Sequence, residues 1–455
     1  MARKFLYVLI ALIILLLIGI LLLGPQLRVA NAYAAKKSCS CIYISKRPLS
    51  SVKEQDLSFF PLNILKLRND SKRKKVVSSF FGLFKAKAQY KEGLGCSIIH
   101  GKDDYGIRFI TERPTAKYLS DSLPWPYGKS EVKHSLTGVG FNQLEKGFNM
   151  AFDKEGEWKK KTRALLVVHK DSLVMEQYSK GFDKNTPILG WSMTKSITNA
   201  LIGILVKQGK LRLEDNQLFD TWKKDDRKNI TLDNLLGMSS GISWEEEYSS
   251  ISDATKTLFL EEDAVKYVSE LELEYDPGSY WEYSSGTTNL LSGIIRNQFE
   301  QLIQYQAFPY LELFNKIGMD SAQLECDESG NYILSSFGYA TLRDWAKLGI
   351  LYLNKGLWKD MEILDEDYID YSISPAPACE NGIYGAQIWL NTDHNSFRDA
   401  PEDLFYFSGY QGQYVCIIPS KDLVIVRMGL SNDEEFDFNP ILAELLKAFP
   451  TNNNF

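Results

Sequence analysis

This chain of 455 residues is poor in the side chains that metal sites and nucleic-acid partners usually require. It has 4 histidines and 6 cysteines, and no two cysteines form a Cys-x-x-Cys pair. Structural zinc sites use clusters of these ligands, so we expect neither a metal nor an organic cofactor. The formal net charge is −6, whereas nucleic-acid-binding domains are usually basic, so nucleic acid is not an expected partner. With 44% hydrophobic residues, the composition is that of a globular protein with a large core.

One long apolar run stands out at the N-terminus. Residues 5–23 carry no charge and follow a short basic segment. At about 1.5 Å per residue, this run is just long enough to cross a bilayer, and it exceeds the roughly 7 to 15 residues of a signal-peptide core. We therefore expect residues 1–26 to form an inner-membrane anchor that leaves the rest of the chain outside the cytoplasm, in the periplasm. Secretion after signal cleavage is the alternative, because Ala30-Asn31-Ala32 resembles a cleavage site.

Residues 27–134 are expected to form a basic extension and connector. Between residues 36 and 75 the chain is strongly basic, which favours either contact with anionic lipid headgroups or a solvated loop. A Pro- and Trp-rich segment at 124–128 is typical of a connector, so we assign the main domain to residues 135–455. An exported protein can form disulfides. Cys41 and Cys96 are one candidate pair, and buried free thiols are the alternative.

The main domain has a β-hairpin pattern near each end and a largely helical middle. Residues 164–178 and 413–428 each show two apolar strand patterns joined by a polar turn. A capping-box pattern at Thr341 predicts a helix through Tyr352, and residues 439–449 predict a terminal helix. Together these patterns predict an α+β fold: an antiparallel β-sheet flanked by helices plus an all-helical lobe, with the N-terminal transmembrane helix in front.

The segment Ser192-Met193-Thr194-Lys195 carries the strongest chemical signal. An apolar helical pattern follows it directly, so Ser192 and Lys195 are expected on one face of the same helix. A serine hydroxyl needs a base to become a nucleophile, and a partly desolvated lysine can act as that base. Ser-x-x-Lys spacing occurs three more times in the chain, but at none of those places does it begin an apolar helix.

Two further segments offer groups that a catalytic centre uses. A Gly- and Ser-rich turn presents Tyr283 and Ser285 just before another helical pattern. A strand pattern ends at Ser408-Gly409, followed by Tyr410. Such a strand edge can offer a hydroxyl and backbone N–H groups to a carbonyl oxygen.

In this order, the three segments resemble the serine β-lactamase and penicillin-binding-protein superfamily. The resemblance covers about residues 140–450 and is closest to the class C-like branch, which also holds esterases, D-aminopeptidases and 6-aminohexanoate-dimer hydrolases. It implies a β-lactamase/transpeptidase-like fold. It also implies a serine hydrolase that cleaves an ester or short amide bond in a small-molecule or peptide-like substrate. A non-catalytic cell-envelope binding or receptor protein on the same fold is the alternative.

The resemblance implies a role for each site residue. Ser192 would be the acylated nucleophile, Lys195 its base and Tyr283 the phenol that relays protons to the leaving group. The backbone N–H groups of Ser192 and Tyr410 would form the oxyanion hole. Four residues would contact the substrate: Ser285, Ser408, Gly409 and Tyr410.

The sequence departs from the family pattern at two positions. Ser285 stands where the family's Tyr-x-Asn motif has an amide, and Phe407 stands where its Lys-Thr-Gly motif has a lysine. The missing lysine removes a cation that helps hold a β-lactam carboxylate. Efficient β-lactamase activity is therefore not expected, and an ester or short amide substrate is favoured.

Residues 237–241 also match the Gly-x-Ser-x-Gly pattern of α/β-hydrolases. That nucleophile elbow follows a core strand and needs a histidine later in the chain. Here the preceding leucines predict a short helix, and His394 is the sole downstream histidine. A structural turn is the better interpretation.

Overall fold

The computed structural model describes residues 2–101, 114, 120–130, 138–154, 157, 159–432 and 436–449. The predicted boundary between the connector and the main domain, at residues 134 and 135, lies outside these residues. Across these ranges the chain forms thirteen α-helices: α1 (Ala2–Tyr43), α2 (Leu49–Gln55), α3 (Phe141–Ala151), α4 (Thr194–Lys207), α5 (Leu232–Leu236), α6 (Asp253–Phe259), α7 (Ala264–Ser269), α8 (Ser285–Asn297), α9 (Leu302–Pro309), α10 (Asn315–Ile317), α11 (Leu342–Leu353), α12 (Glu366–Ser372) and α13 (Asn439–Leu446).

The same described ranges contain seventeen strands: β1 (Lys66–Asp70), β2 (Lys75–Phe80), β3 (Leu83–Lys91), β4 (Gly95–Ile98), β5 (Ser120–Pro124), β6 (Gly128–Ser130), β7 (Thr162–His169), β8 (Ser172–Tyr178), β9 (Ile188–Leu189), β10 (Gln323–Leu324), β11 (Gly338–Ala340), β12 (Leu357–Trp358), β13 (Met361–Glu362), β14 (Trp389–Leu390), β15 (Phe405–Gly409), β16 (Gln413–Ile418) and β17 (Leu423–Gly429).

Six of these strands form one antiparallel sheet in the order β14-β15-β16-β17-β7-β8. Strands β7 and β17 come from opposite ends of the main domain and pair with Val168 opposite Val424. Because side chains alternate along a strand, Leu166 joins the core under α4 and α11, whereas Leu165 and Val167 join the core under α3 and α13. Both predicted hairpins are confirmed, as is the combination of an antiparallel sheet with packed helices.

The chain between β8 and β14 is mainly helical and contains α4 to α12, with the small sheet β10-β11-β9 among them. Helix α8 packs against α4 and α5, and Leu201, Leu290 and Leu291 are buried between these helices. Thr341 caps α11 by accepting a hydrogen bond from the backbone N–H of Asp344, at the predicted position. This packing brings the N-terminal ends of α4 and α8 together, and these two ends carry the predicted site residues.

Residues 24–101 fold into a compact assembly, called the N-terminal unit below. It consists of the second half of α1, helix α2 and the antiparallel sheet β1-β2-β3-β4. A disulfide joins Cys39 on α1 to Cys96 on β4, while Cys41 is a buried free thiol. The predicted Cys41–Cys96 pair is therefore wrong. Successive helix residues are rotated by about 100°, so Cys39 faces β4 where Cys41, two residues along, does not.

The basic segment 36–75 belongs to this folded unit, and part of its positive charge is buried there. The carboxylate of Asp56 is fully buried among Lys37, Arg47 and Arg163, with the closest contact 2.7 Å from Arg47 Nη1. Burial raises the pKa of Asp56, but attraction to the three cations outweighs it and holds this pKa well below its usual range. These cations therefore neutralise a buried carboxylate and attach the N-terminal unit to β7.

The structure does not support the predicted membrane anchor at residues 1–26. The apolar run lies in α1, which continues through Pro25 to Tyr43 without a break. Ala30, Asn31 and Ala32, which resemble a cleavage site, are buried within this helix. Among the residues whose side chains are described, no helix combines the length and the apolar character needed to cross a bilayer.

Candidate active site

The nucleophile candidate Ser192 lies in a single 3₁₀ turn, Trp191–Met193, that runs directly into α4. Trp191 has a φ of +50°, a conformation that a bulky side chain rarely adopts and that is typical of functional sites. Two glycines let other elements approach this turn closely. A Cβ on Gly190 would lie 2.2 Å from the Trp345 side chain, and one on Gly409 would lie 2.0 Å from the Gly190 carbonyl oxygen. The end of β15 is therefore in direct contact with the nucleophile turn.

The amine of Lys195 lies at the centre of the site. Its Nζ atom is 3.3 Å from Ser192 Oγ, 2.9 Å from Ser285 Oγ and 3.0 Å from the backbone oxygen of Ser335. The side chain is 1% exposed. Burial lowers the pKa of Lys195 to about 8, although the negative charge of Glu246 opposes this shift. A lysine with such a pKa can lose its proton near neutral pH and accept the proton of a neighbouring hydroxyl.

Tyr283 lies beside both of these residues. The Lys195 amine is 4.9 Å from the centre of the Tyr283 ring, and the neighbouring Ser192 side chain acts to lower the pKa of the phenol. Burial and the charge of Glu246 raise the pKa of Tyr283, so the phenol keeps its proton at neutral pH. The ring packs against Trp389 and Tyr384, with centroids 5.3 and 5.9 Å away. The phenol is therefore fixed within reach of the nucleophile.

Ser285 is the first residue of α8, and its hydroxyl lies between Lys195 and a carboxylate. Its Oγ atom accepts a hydrogen bond from Lys195 and donates one of 2.6 Å to Glu246 Oε1. The side chain is buried, and its backbone N–H also donates to Glu246, at 2.8 Å. The predicted substrate contact at this position stays a prediction, because the observed partners of the Ser285 hydroxyl, which are Lys195, Glu246 and Tyr248, are all groups of the protein itself.

Glu246 is a site residue that the sequence did not reveal. It lies in an ordinary acidic stretch, Glu245-Glu246-Glu247, whose pattern does not distinguish one carboxylate from the next. The fold alone selects Glu246, because the loop before α6 turns this side chain toward the start of α8.

The remaining predicted site residues lie at the end of β15. Ser408 is half-buried, and Tyr410 is 45% exposed, with its ring edge-on to Trp191 at 5.8 Å. The Tyr410 ring also stacks on Tyr248, with centroids 6.1 Å apart. These contacts bring β15 and the turn after it to the nucleophile, while the oxyanion hole assigned to the backbone N–H groups of Ser192 and Tyr410 stays a prediction.

Phe407 does not substitute for the lysine of the family motif. Its side chain is fully buried and packs edge-on against Tyr352, with ring centroids 5.2 Å apart. This position therefore brings no cation to the site.

The alternative pattern at residues 237–241 is a turn that follows the short helix α5, as expected from its leucines. Gly241 has a φ of +74°, and a Cβ there would lie 2.1 Å from the backbone oxygen of Tyr275. The glycine is needed for this close backbone approach, which favours a structural interpretation of the pattern.

Several solved structures share the fold. A proposed 6-aminohexanoate-dimer hydrolase from Bacillus anthracis has a TM-score of 0.55 and 23% identity, with 67% of this chain and 80% of that chain covered. A family VIII carboxylesterase has a TM-score of 0.54 and 15% identity, covering 68% of this chain and 96% of that chain. A penicillin-binding protein from Bacillus halodurans has a TM-score of 0.51 and 16% identity, covering 68% and 99%. No curated protein is a significant match.

A match between the sequence and a family model identifies the family of this protein. The sequence model of the beta-lactamase family matches residues 157–447, which is more than half of the chain. This range contains the buried Lys195 amine, the Ser192 hydroxyl and the Tyr283 phenol, together with the whole six-stranded sheet. The protein therefore belongs to the beta-lactamase family, within the serine β-lactamase and penicillin-binding-protein-like superfamily.

Proposed function

We propose that this protein is a serine hydrolase that cleaves an ester or short amide bond through an acyl-enzyme on Ser192. One observation carries the proposal: the Lys195 amine lies 3.3 Å from Ser192 Oγ, and burial lowers its pKa to about 8. At neutral pH a useful fraction of this amine is uncharged and can accept the hydroxyl proton as the oxygen attacks.

The reaction would follow in two halves. In the first, Ser192 Oγ attacks the substrate carbonyl carbon, its proton passes to Lys195, and the bond to the leaving group breaks as Tyr283 delivers a proton to it. Tyr283 regains its proton from Lys195. In the second half, a water molecule loses a proton to the same pair of groups and attacks the acyl carbon, the bond from that carbon to Ser192 Oγ breaks, and the proton returns to Ser192 Oγ. The products are a carboxylic acid and free Ser192, so atoms and protons balance.

The substrate is proposed to be a small ester or a short amide, peptide-like or otherwise. Phe407 provides no cation for a β-lactam carboxylate, which argues against β-lactams. Beside Tyr283, the half-buried rings of Trp281 and Trp389 form an apolar wall, which suits an apolar portion of the substrate. Two proteins that share the fold are described by their names as a 6-aminohexanoate-dimer hydrolase and a carboxylesterase, which supports these bond types.

We also propose that the protein acts outside the cytoplasm, in the periplasm or as a secreted protein. The disulfide between Cys39 and Cys96 supports this location, because disulfides persist in oxidising compartments and are rare in the cytosol.

Labelling with a fluorophosphonate probe tests the function. Wild-type protein should form a covalent adduct, Ser192→Ala should form none, and Ser239→Ala should label normally as the matched control from the alternative motif. Turnover is then measured on p-nitrophenyl esters, D-amino-acid amides and linear ω-amino-acid dimers. A protein without any Ser192-dependent adduct or turnover would instead be a non-catalytic binding or receptor protein on this fold.

A further inference from the structure

The carboxylate of Glu246 accepts four hydrogen bonds in the site. Oε2 accepts from Trp244 Nε1 at 2.6 Å and from the backbone N–H of Ser285 at 2.8 Å. Oε1 accepts from the Tyr248 hydroxyl at 2.5 Å and from Ser285 Oγ at 2.6 Å. Four donors hold this carboxylate in one orientation.

This carboxylate determines where the proton of Ser285 points. An ionised carboxylate can only accept, so the single hydroxyl proton of Ser285 must be directed at Glu246. The oxygen of Ser285 is then left as an acceptor toward Lys195 Nζ, 2.9 Å away. Without the carboxylate, the hydroxyl could turn its proton toward the amine and compete for the lysine lone pair.

A second acceptor completes the arrangement around the amine. The backbone oxygen of Ser335, 3.0 Å from Lys195 Nζ, can also only accept. An uncharged lysine amine has two N–H bonds and one lone pair. When Ser285 and Ser335 each accept one N–H, the lone pair is left for the third neighbour, Ser192 Oγ at 3.3 Å.

We propose that Glu246 is a positioning residue that acts through the Ser285 hydroxyl to direct the lone pair of Lys195 at the Ser192 hydroxyl. This inference rests on the proposed function, because a lone pair matters only if Lys195 is the base. Glu246 itself contacts neither nucleophile nor base. It fixes the hydrogen-bond direction of the Ser285 hydroxyl, which touches the base.

The negative charge of Glu246 also has an unfavourable effect on the base, because it raises the pKa of Lys195. Three parts of the chain surround the Lys195 amine. The start of α8 and the turn before it contribute Ser285 and Tyr283, and Ser335 contributes its backbone oxygen. The loop before α6 contributes Glu246 and Tyr248. Among these described groups, Glu246 is the one acidic side chain whose charge acts on the pKa of Lys195. Its negative charge raises the pKa of Lys195, so its removal should lower that pKa.

Glu246→Gln separates the two effects in one pH–rate profile. The side chain keeps its size, but an amide N–H can now donate to Ser285 and reverse the hydroxyl. We expect kcat on the alkaline plateau to fall by about 10- to 100-fold with a small change in KM, as for a misdirected catalytic group. The acidic limb of kcat/KM should move to lower pH, because the lysine loses a neighbouring negative charge. Glu245→Gln, the exposed neighbour, should change neither.

A double-mutant cycle tests whether Glu246 acts through Ser285. Ser285→Ala keeps the carboxylate and should lose a similar factor on the plateau, with a smaller shift of the limb. The double variant should be no slower than the slower single variant, because both changes break one chain of hydrogen bonds. Thermal melts of each variant establish that it is folded.

Three results would overturn the inference: an unchanged plateau in Glu246→Gln, a limb that moves to higher pH, or losses that multiply in the double variant. Failure of the proposed function would give a different result, because the wild-type protein itself would then show no turnover and no adduct on Ser192.

Discussion

The ring of Tyr33 lies parallel to the indole of Trp191, with centroids 6.4 Å apart and ring planes within 7°. Trp191 is the residue before Ser192 and has the strained φ of +50°. The amine of Lys37 lies 5.3 Å from the same indole. Both contacts come from α1 of the N-terminal unit, outside the residues that match the family. The N-terminal unit thus supports the backbone conformation of the nucleophile turn.

Tyr33→Ala should therefore reduce both stability and activity. Truncation of a large, half-buried aromatic ring is expected to cost about 2 kcal/mol in the free energy of unfolding. With the stack lost, Trp191 can relax from its strained conformation, so kcat/KM for an ester should fall several-fold at temperatures where the variant is folded. Tyr33→Phe retains the ring and serves as the control, with both quantities near wild type. Loss of stability with unchanged kcat/KM would show that α1 does not hold the nucleophile.

The pH dependence of the reaction should report the ionisation of Lys195. With a pKa of about 8, roughly 10% of the lysine is uncharged at pH 7, against about 0.03% for an ordinary lysine. Because only the uncharged amine can accept a proton, kcat/KM for an ester should rise about tenfold per pH unit below pH 7 and level off above about pH 9.

The matched variant for this profile is Lys195→Arg, which keeps a permanent positive charge and should lose about three orders of magnitude in kcat. Tyr283→Phe should also have a lower kcat, but its kcat/KM should rise with pH as in the wild type. A profile that is flat from pH 6 to pH 9, or substantial activity of Lys195→Arg, would exclude this lysine as the base.

The proximity of Ser192 and Lys195 was predictable because their spacing is local. Helix geometry alone places Ser192 and Lys195 on one face, and the apolar pattern after them predicts the helix. Tyr283 is distant in sequence and was found through the order of the motifs. The two hairpins were predictable for a similar reason, since their alternating patterns and turns are contained in short segments.

What the sequence could not predict depends on contacts between distant segments. Ser335 reaches Lys195 across 140 residues and contributes a backbone oxygen, which any residue type has. Glu246 is one of three adjacent glutamates, and tertiary structure alone distinguishes it. A single helix, α1, contains both the apolar run and two buried cations, Lys36 and Lys37. The buried carboxylates of Asp56 and Glu325 are what draw Lys36, Lys37 and Arg47 of the basic segment into the core.

The absence of a cation at Phe407 predicts weak recognition of β-lactam carboxylates. A charge-assisted hydrogen bond contributes about 1.5–3 kcal/mol, so its loss corresponds to roughly a 10- to 100-fold lower kcat/KM. Nitrocefin should therefore be hydrolysed slowly or not at all. Where turnover is measurable, nitrocefin and its carboxylate methyl ester should react within a few-fold of each other. Rapid nitrocefin turnover, or a strong preference for the free carboxylate, would mean that another cation binds this group.

The disulfide between Cys39 and Cys96 should stabilise the N-terminal unit and, through it, the nucleophile turn. It closes a loop with a sequence separation of 57 residues, and the loop-entropy relation gives a contribution of about 4 kcal/mol as an upper value. Cys96→Ser and Cys39→Ser should each lower the midpoint of urea unfolding to a similar extent. Cys41→Ser is the matched control, since it alters a buried thiol that forms no disulfide, and its effect should be much smaller.

The same three variants connect this cross-link to catalysis. Because Tyr33 and Lys37 lie on α1 just before Cys39, release of α1 from β4 should loosen the support of Trp191. Ester turnover of Cys96→Ser should then decline at lower temperatures than that of wild type, in step with its unfolding curve. A reducing agent should reproduce this decline in wild type and in Cys41→Ser, which both keep the disulfide. A different result would contradict this disulfide: Cys41→Ser as destabilising as Cys96→Ser, with Cys39→Ser neutral. The bond would then join Cys41 to Cys96, and α1 would be turned by about 200° relative to the sheet it packs against.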